Sequence, residues 1–244
     1  WIQPSQALHC GGNAPALADL QGDGSPNVII GPLILDGGTG SVVSMGEWGG
    51  GRDTAYLNSG YHAFPIDLDG DGNQEILTGS AIYEADGSVR CVTGYPDGYP
   101  AAADLNGDGL GEFVVSGGGQ ISIFDQDCWL LDNWEVASGG RGGPATIADY
   151  DGDGSPEIGV AERVAYTCYE VDGSVLWTNL VEDFSSHSTG SSVYDFEGDG
   201  YAEVVYADET TLWIYQGATG HVRLAESTHT SGTVNEYPVI VDVD

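Results

Sequence analysis

Lysine is absent from this chain of 244 residues, and five arginines face 38 acidic residues, giving a formal net charge of −33 at pH 7. Nucleic-acid binders carry a basic footprint, so this balance excludes that class and disfavours anionic membrane surfaces likewise. No run of 18 apolar residues exists, so nothing in the sequence spans a membrane as a helix. Cysteine is scarce: Cys10, Cys91, Cys128 and Cys168 lie far apart without a Cys-x-x-Cys pair, and zinc spacing is absent. The five histidines (His9, His62, His187, His221 and His229) lack the His-Glu-x-x-His arrangement, and neither a Gly-x-Ser-x-Gly elbow nor a phosphate-binding glycine loop occurs. Ser185-Ser186-His187-Ser188 sets serine beside histidine, which reads as a polar loop rather than a nucleophile and its base. Helical periodicity is missing as well.

What the chain does contain is one acidic phrase, repeated five times. Oxygen-bearing residues fall at positions 1, 3, 5 and 9 of each phrase, and glycine always stands at 4 and 6. Loop one carries Asp19, Gln21, Asp23 and Asn27, and loop two Asp67, Asp69, Asp71 and Glu75. Loop three carries Asp104, Asn106, Asp108 and Glu112, and loop four Asp149, Asp151, Asp153 and Glu157. Loop five carries Asp195, Glu197, Asp199 and Glu203. Position 7 varies (Ser25, Asn73, Leu110, Ser155, Tyr201), as expected of a residue that offers only its backbone carbonyl. A hard cation such as Ca²⁺ takes six to eight oxygens, and a tight turn lets alternate side chains converge on one point. These are therefore expected to be calcium loops. They are not EF-hands, which need a carboxylate at position 12; that place holds Ile30, Thr78, Val115, Val160 and Tyr206.

Short β-branched or apolar runs flank each loop, as in Ile147-Ala148 before loop four and Ile158-Gly159-Val160 after it, which predicts a hairpin. The first ligands of successive loops are separated by 48, 37, 45 and 46 residues, and Asp242 follows 47 residues after the fifth. A period near 45 is that of propeller blades, each a four-stranded sheet. A second hairpin falls within each period, with Asp86-Gly87 and Asp172-Gly173 as its turns. The expectation is an all-β chain: a single, incomplete β-propeller over 1–244, with repeats starting near 14, 62, 99, 144 and 190. A truncated repeat near 237 would end on Asp242 and Asp244 as its first two ligands, as in a fragment.

The phrase Ala148-Asp149-Tyr150-Asp151-Gly152-Asp153-Gly154, followed by an acid and a strand, resembles the FG-GAP/VCBS repeat, and the resemblance recurs from about residue 14 to 244. That family builds the N-terminal propeller of integrin α-subunits and many secreted bacterial proteins. The resemblance implies Ca²⁺ held through positions 1, 3, 5, 7 and 9 of a loop joining the first two strands of a blade, and usually seven blades. The integrin phrase Phe-Gly-Gly-Ala-Pro is absent.

The five loops with Asp242 and Asp244 hold 19 of the 38 acids, so the acidity is concentrated at the expected metal sites. Loop one, with Gln21 and Asn27, should be the weakest, and the longer Glu197 should distort loop five. Calcium loops of this kind imply an extracellular or cell-surface setting, where disulfides persist. One or two bridges are expected, with Cys128–Cys168 between neighbouring repeats favoured, although spacing leaves three connectivities open. Arg52 and Arg141, each after a glycine cluster, are candidates for neutralising a neighbouring loop. Trp177 and Trp213 are expected in the core, and Trp48, Trp129 and Trp134 nearer loops as contact residues. The function expected is a calcium-stabilised module for adhesion, binding or structural assembly, whose partner is a protein, a glycan or another copy of itself. The alternative is a propeller-based polysaccharide lyase or hydrolase acting on acidic glycans.

Overall fold

The computed structural model describes residues 13–52, 60–227, 229–232 and 237–241. Among them every regular element is a β-strand, and no helix is long and apolar enough to cross a membrane. The 20 strands form five four-stranded antiparallel sheets, each a meander in chain order. The first sheet holds β1 (Ala16–Ala18), β2 (Asn27–Ile30), β3 (Leu33–Asp36) and β4 (Val42–Met45). The second holds β5 (Phe64–Ile66), β6 (Glu75–Leu77), β7 (Ala81–Tyr83) and β8 (Val89–Val92). The third holds β9 (Tyr99–Ala103), β10 (Glu112–Gly117), β11 (Gln120–Phe124) and β12 (Leu130–Glu135). The fourth holds β13 (Thr146–Ala148), β14 (Glu157–Ala161), β15 (Ala165–Tyr169) and β16 (Val175–Leu180). The fifth holds β17 (Ser191–Tyr194), β18 (Glu203–Ala207), β19 (Leu212–Tyr215) and β20 (Val222–Glu226).

The second, third and fourth sheets bury their middle strands, and in every sheet the last strand is the most exposed. Every residue of β14 and β15 is buried, whereas β4 and β20 are largely exposed. A strand covered on both faces has no solvent side to mark with polar residues, which is why Val28-Ile29-Ile30 and Val204-Val205-Tyr206 read as unbroken apolar runs.

The second hairpin closes by a three-residue turn in the second, third and fourth sheets, rather than the two-residue one that Asp-Gly most directly suggests, and by a four-residue turn in the first and fifth, where Asp36 pairs with Ser41 and Gln216 with His221. Gly87 N–H donates to Glu84 O at 2.8 Å and Glu84 N–H to Ser88 O at 2.9 Å, while Gly87 takes φ 83°. A type I turn followed by a left-handed residue leaves a bulge, and the register duly shifts between Ile82 and Tyr83. The fourth sheet repeats this with Gly173 at φ 79° and a shift between Cys168 and Tyr169. In the third sheet Cys128 stands at the left-handed place, at φ 63°.

Cys128 is also half of the disulfide, and its partner is Cys91 on β8, 37 residues away. The expected Cys128–Cys168 bridge does not form. Cys168 lies on the third strand of the fourth sheet, wholly buried as a thiol among aromatic rings. Cys10 lies outside the described residues.

Contacts divide the chain into two compact units, Trp1–Gly118 with Ser122–Asp132, and Gly119–Ile121 with Asn133–Asp244. In the first, Leu20, Ile29, Ile34, Ile76 and Tyr83 fill the space between the first two sheets, and Leu68, Phe113 and Phe124 belong to a second cluster. In the second, Tyr150, Tyr166, Trp177, Tyr206 and Tyr215 form an aromatic core between the fourth and fifth sheets. Trp177 is buried there as expected, and Trp213 packs against its edge, stacked on Tyr215 at 5.7 Å. Position 2 of a loop (Leu20, Leu68, Tyr150) thus serves as the hydrophobic peg between one sheet and the next.

Candidate metal centres

All five acidic loops join the first and second strands of their sheets, and position 9 is in each case the first residue of the second strand. The loop folds around the carboxylate of position 1. Asp149 accepts Gly152 N–H at 2.7 Å on one oxygen and Gly154 N–H at 3.0 Å on the other. Asp67 does the same with Gly70 and Gly72, Asp195 with Gly198 and Gly200, and Asp104 with Gly107 and Gly109. Asp19 receives Asp23 N–H and Gly24 N–H. Both glycines have positive φ in every loop, between 66° and 77° at position 4 and between 87° and 95° at position 6. That requirement explains their invariance along the chain. Position 5 in turn accepts the backbone N–H of position 7 whatever residue stands there (Asp153 from Ser155 at 2.8 Å), and in loop two the Asn73 side chain donates to the same Asp71 oxygen at 3.0 Å.

Carboxylate oxygens consequently converge. Those of Asp149, Asp151, Asp153 and Glu157 lie within 4.8 Å of one another, as do those of Asp67, Asp69 and Asp71, and those of Asp195, Glu197 and Glu203. Loops four, two and five could therefore each hold a metal ion. Loops one and three substitute amides at position 3, and their side chains are engaged: Gln21 Nε2 donates to Ala85 O at 2.7 Å and Asn106 Nδ2 to Glu112 Oε1 at 2.8 Å.

Position 9 is the buried member of each loop. One oxygen of Glu75, Glu112, Glu157 and Glu203 accepts the N–H of position 2, at 2.9, 2.7, 2.6 and 3.0 Å. Burial pushes all four carboxyls above their usual range, Glu157 up to about 7 with the charges of Asp151 and Glu170 adding to the effect. Position 1 goes the other way in loops three and five, where backbone amides hold Asp104 and Asp195 below the usual range. In loop one Asn27 replaces the glutamate, and its Oδ1 is buried without a hydrogen-bond partner.

Two arginines meet these loops, but not the two expected. Arg90 on β8 reaches Asp69 at 2.8 Å, Glu84 at 2.6 Å and Glu75 at 3.3 Å. The last distance is an ion pair without hydrogen-bond geometry. Arg223 on β20 bonds Glu197 through both terminal nitrogens and Glu203 at 2.9 Å. Arg52 instead lies over the Tyr61 ring at 5.1 Å, and Arg141 donates to Ser186 O at 3.0 Å. Nearness to a glycine cluster is therefore no guide to these contacts; the sequence signal is that Arg90 and Arg223 each follow the glycine of the second-hairpin turn, Gly87 and Gly220, by the same interval.

Neighbouring loops in the first unit are tied to one another. Gln74 N–H at position 8 of loop two donates to Leu20 O at position 2 of loop one, at 2.8 Å, and Gly111 N–H to Leu68 O at 2.9 Å. Other residues singled out from sequence have plain structural settings. Asp183, wholly buried, accepts Ser186 Oγ–H, His187 N–H and Thr189 N–H, while the His187 ring turns to Phe184 O. The serine-histidine segment is thus a capped turn. Trp48 and Trp129 are 50% and 72% exposed, whereas Trp134 packs on Tyr169 at 5.9 Å. Asp242 and Asp244 lie outside the described residues.

A four-stranded antiparallel meander repeated along the chain is the blade of a β-propeller, and that is the class of protein this is. No protein-family model and no curated protein matches the sequence. Among solved structures, the V. cholerae biofilm matrix protein Bap1 is similar over 97% of this chain and 64% of its own, with TM-score 0.76 and 16% identity. The exotype rhamnogalacturonan lyase YesX matches 91% of this chain and 50% of its own, with TM-score 0.57 and 17% identity. An Agrocybe aegerita lectin that recognises non-reducing terminal N-acetylglucosamine matches 90% of this chain and 66% of its own, with TM-score 0.51 and 14% identity. The chain spans about half to two thirds of the length of these proteins, and at such identities the likeness speaks for the fold alone.

Proposed function

We propose that this chain is an extracellular, calcium-stabilised β-propeller of FG-GAP/VCBS-like repeats that works as a binding, adhesion or matrix-assembly module. The observation that carries the calcium reading is Glu157. Its Oε1 is buried with no hydrogen-bond partner, among three further carboxylates whose oxygens converge with it. A buried unpaired carboxylate oxygen is costly unless a cation satisfies it, and a donor set made only of oxygens suits Ca²⁺. Asp149, Asp151, Asp153, Ser155 (through its carbonyl) and Glu157 would hold the ion in loop four. The matching residues of loops two and five would do so there, with loops one and three weaker because amides replace acids. Bound calcium supplies charge neutralisation and cross-links the turn to its second strand. The disulfide and the likeness to a matrix protein support an extracellular place. Exposed Trp48 and Trp129 are the aromatic surfaces offered to a protein or glycan partner.

The lyase neighbour gives a second reading, a polysaccharide lyase, some footing. Incubation with rhamnogalacturonan and other acidic polysaccharides, beside a glycan array, separates the two. The module reading expects retention on the array or self-association in calcium with no unsaturated product. Release of unsaturated oligosaccharide would replace it with the enzyme.

A further inference from the structure

The second oxygen of the position-9 glutamate has a different neighbour in each loop. In loop three it accepts from the Asn106 amide, in loop two it faces Arg90, in loop five it accepts from Arg223, and in loop four it has no partner. One residue on the fourth strand decides the last three cases. Tyr83 pairs with Val89, Tyr169 with Val175 and Tyr215 with Val222, so Arg90, Leu176 and Arg223 occupy equivalent places. Where that place is arginine, a guanidinium joins positions 3 and 9 (Asp69 with Glu75, Glu197 with Glu203). Where it is Leu176, no basic side chain stands at that place and four carboxylates converge.

A guanidinium never deprotonates, and its planar fork binds two carboxylates at once. It therefore does part of what a divalent ion would do, from the same two ligands. We infer that the chain carries two classes of calcium site: an open one of highest affinity at loop four, and two at loops two and five that Arg90 and Arg223 hold closed as internal counter-cations. Calcium enters the closed sites by displacing the guanidinium from positions 3 and 9. Loops two and five accordingly keep their shape when calcium is scarce, and loop four is the element that responds first when it rises. This regulation rests on the calcium reading above.

Calcium titration by calorimetry of the whole chain tests it, with wild type compared with Glu157→Gln, the double variant Arg90→Gln/Arg223→Gln, and Leu176→Arg. Wild type should show one tight site and two that are weaker by about tenfold or more, and Glu157→Gln should remove the tight one. The arginine double variant should bring the two weak sites to within about threefold of the tight one. Leu176→Arg, which supplies the missing guanidinium, should weaken the tight site by about tenfold and so tests the inference even if the double variant folds poorly. Unchanged or weakened binding in the double variant, or an intact tight site in Leu176→Arg, overturns the inference while leaving calcium binding in place. No calcium heat in wild type overturns the calcium reading, and this one with it.

Discussion

At the scale of single residues, the loops are held by backbone conformations that only glycine adopts cheaply. A Cβ at Gly154 (φ +95°) would meet nothing within 4 Å, so Gly154→Ala isolates the backbone cost, about 1–2 kcal/mol. At Gly152 (φ +74°) a Cβ would stand 2.6 Å from the Tyr201 ring of the next loop. Urea unfolding in calcium should rank Gly152→Ala as the more damaging, and equal losses would contradict the packing described. Asp97 provides a pH signature away from the loops. Burial pushes its carboxyl up to about 6, against hydrogen bonds from the N–H groups of Gly50, Gly51 and Gly98. A carboxyl whose folded pKa lies above its unfolded value favours the folded state when protonated. Its contribution is complete below about pH 4 and is lost as pH rises through about 6. Stability should therefore fall across that window, and Asp97→Asn should flatten the slope; an equal slope in the variant would assign it to other groups.

At the scale of strands and turns, much was legible in the sequence because the information is local. Aspartate and glycine at fixed offsets dictate the loop, and the apolar runs beside them dictate the hairpin, so all five loops fall between first and second strands. What escaped is non-local. The partner of Cys128 depends on the left-handed turn that carries it and on the bulged register of β8, neither of which spacing reveals. The guanidinium contacts to the loops span 15 residues (Arg90–Glu75) to 26 (Arg223–Glu197) and require the fourth strand to fold back over the loop. The Cys91–Cys128 bridge closes a loop of 37 residues, so its reduction should cost about 2–4 kcal/mol. Unfolding with and without reductant measures this. Identical midpoints would mean that the bridge adds nothing to the first unit.

At the scale of the whole molecule, the governing quantity is a net charge of −33, with 17 of the 38 acids drawn into the five loops. Stripped of divalent ions, the chain should gain stability as sodium chloride is raised, because screening weakens repulsion among exposed carboxylates. In calcium that salt dependence should shrink, since the densest clusters are already neutralised. In calcium at about ten times the Kd of the weaker sites, loops two and five each contribute about 1.4 kcal/mol by mass action and loop four, about tenfold tighter, about 2.7 kcal/mol. Together they add about 5.5 kcal/mol, enough to raise the melting temperature of a chain this long by roughly 15 °C. Thermal melting followed by circular dichroism, in millimolar calcium and in EDTA at matched ionic strength, tests this most directly. The account predicts a midpoint higher in calcium by about that interval, restored when calcium is returned to the chelated sample. Superimposed curves would contradict it.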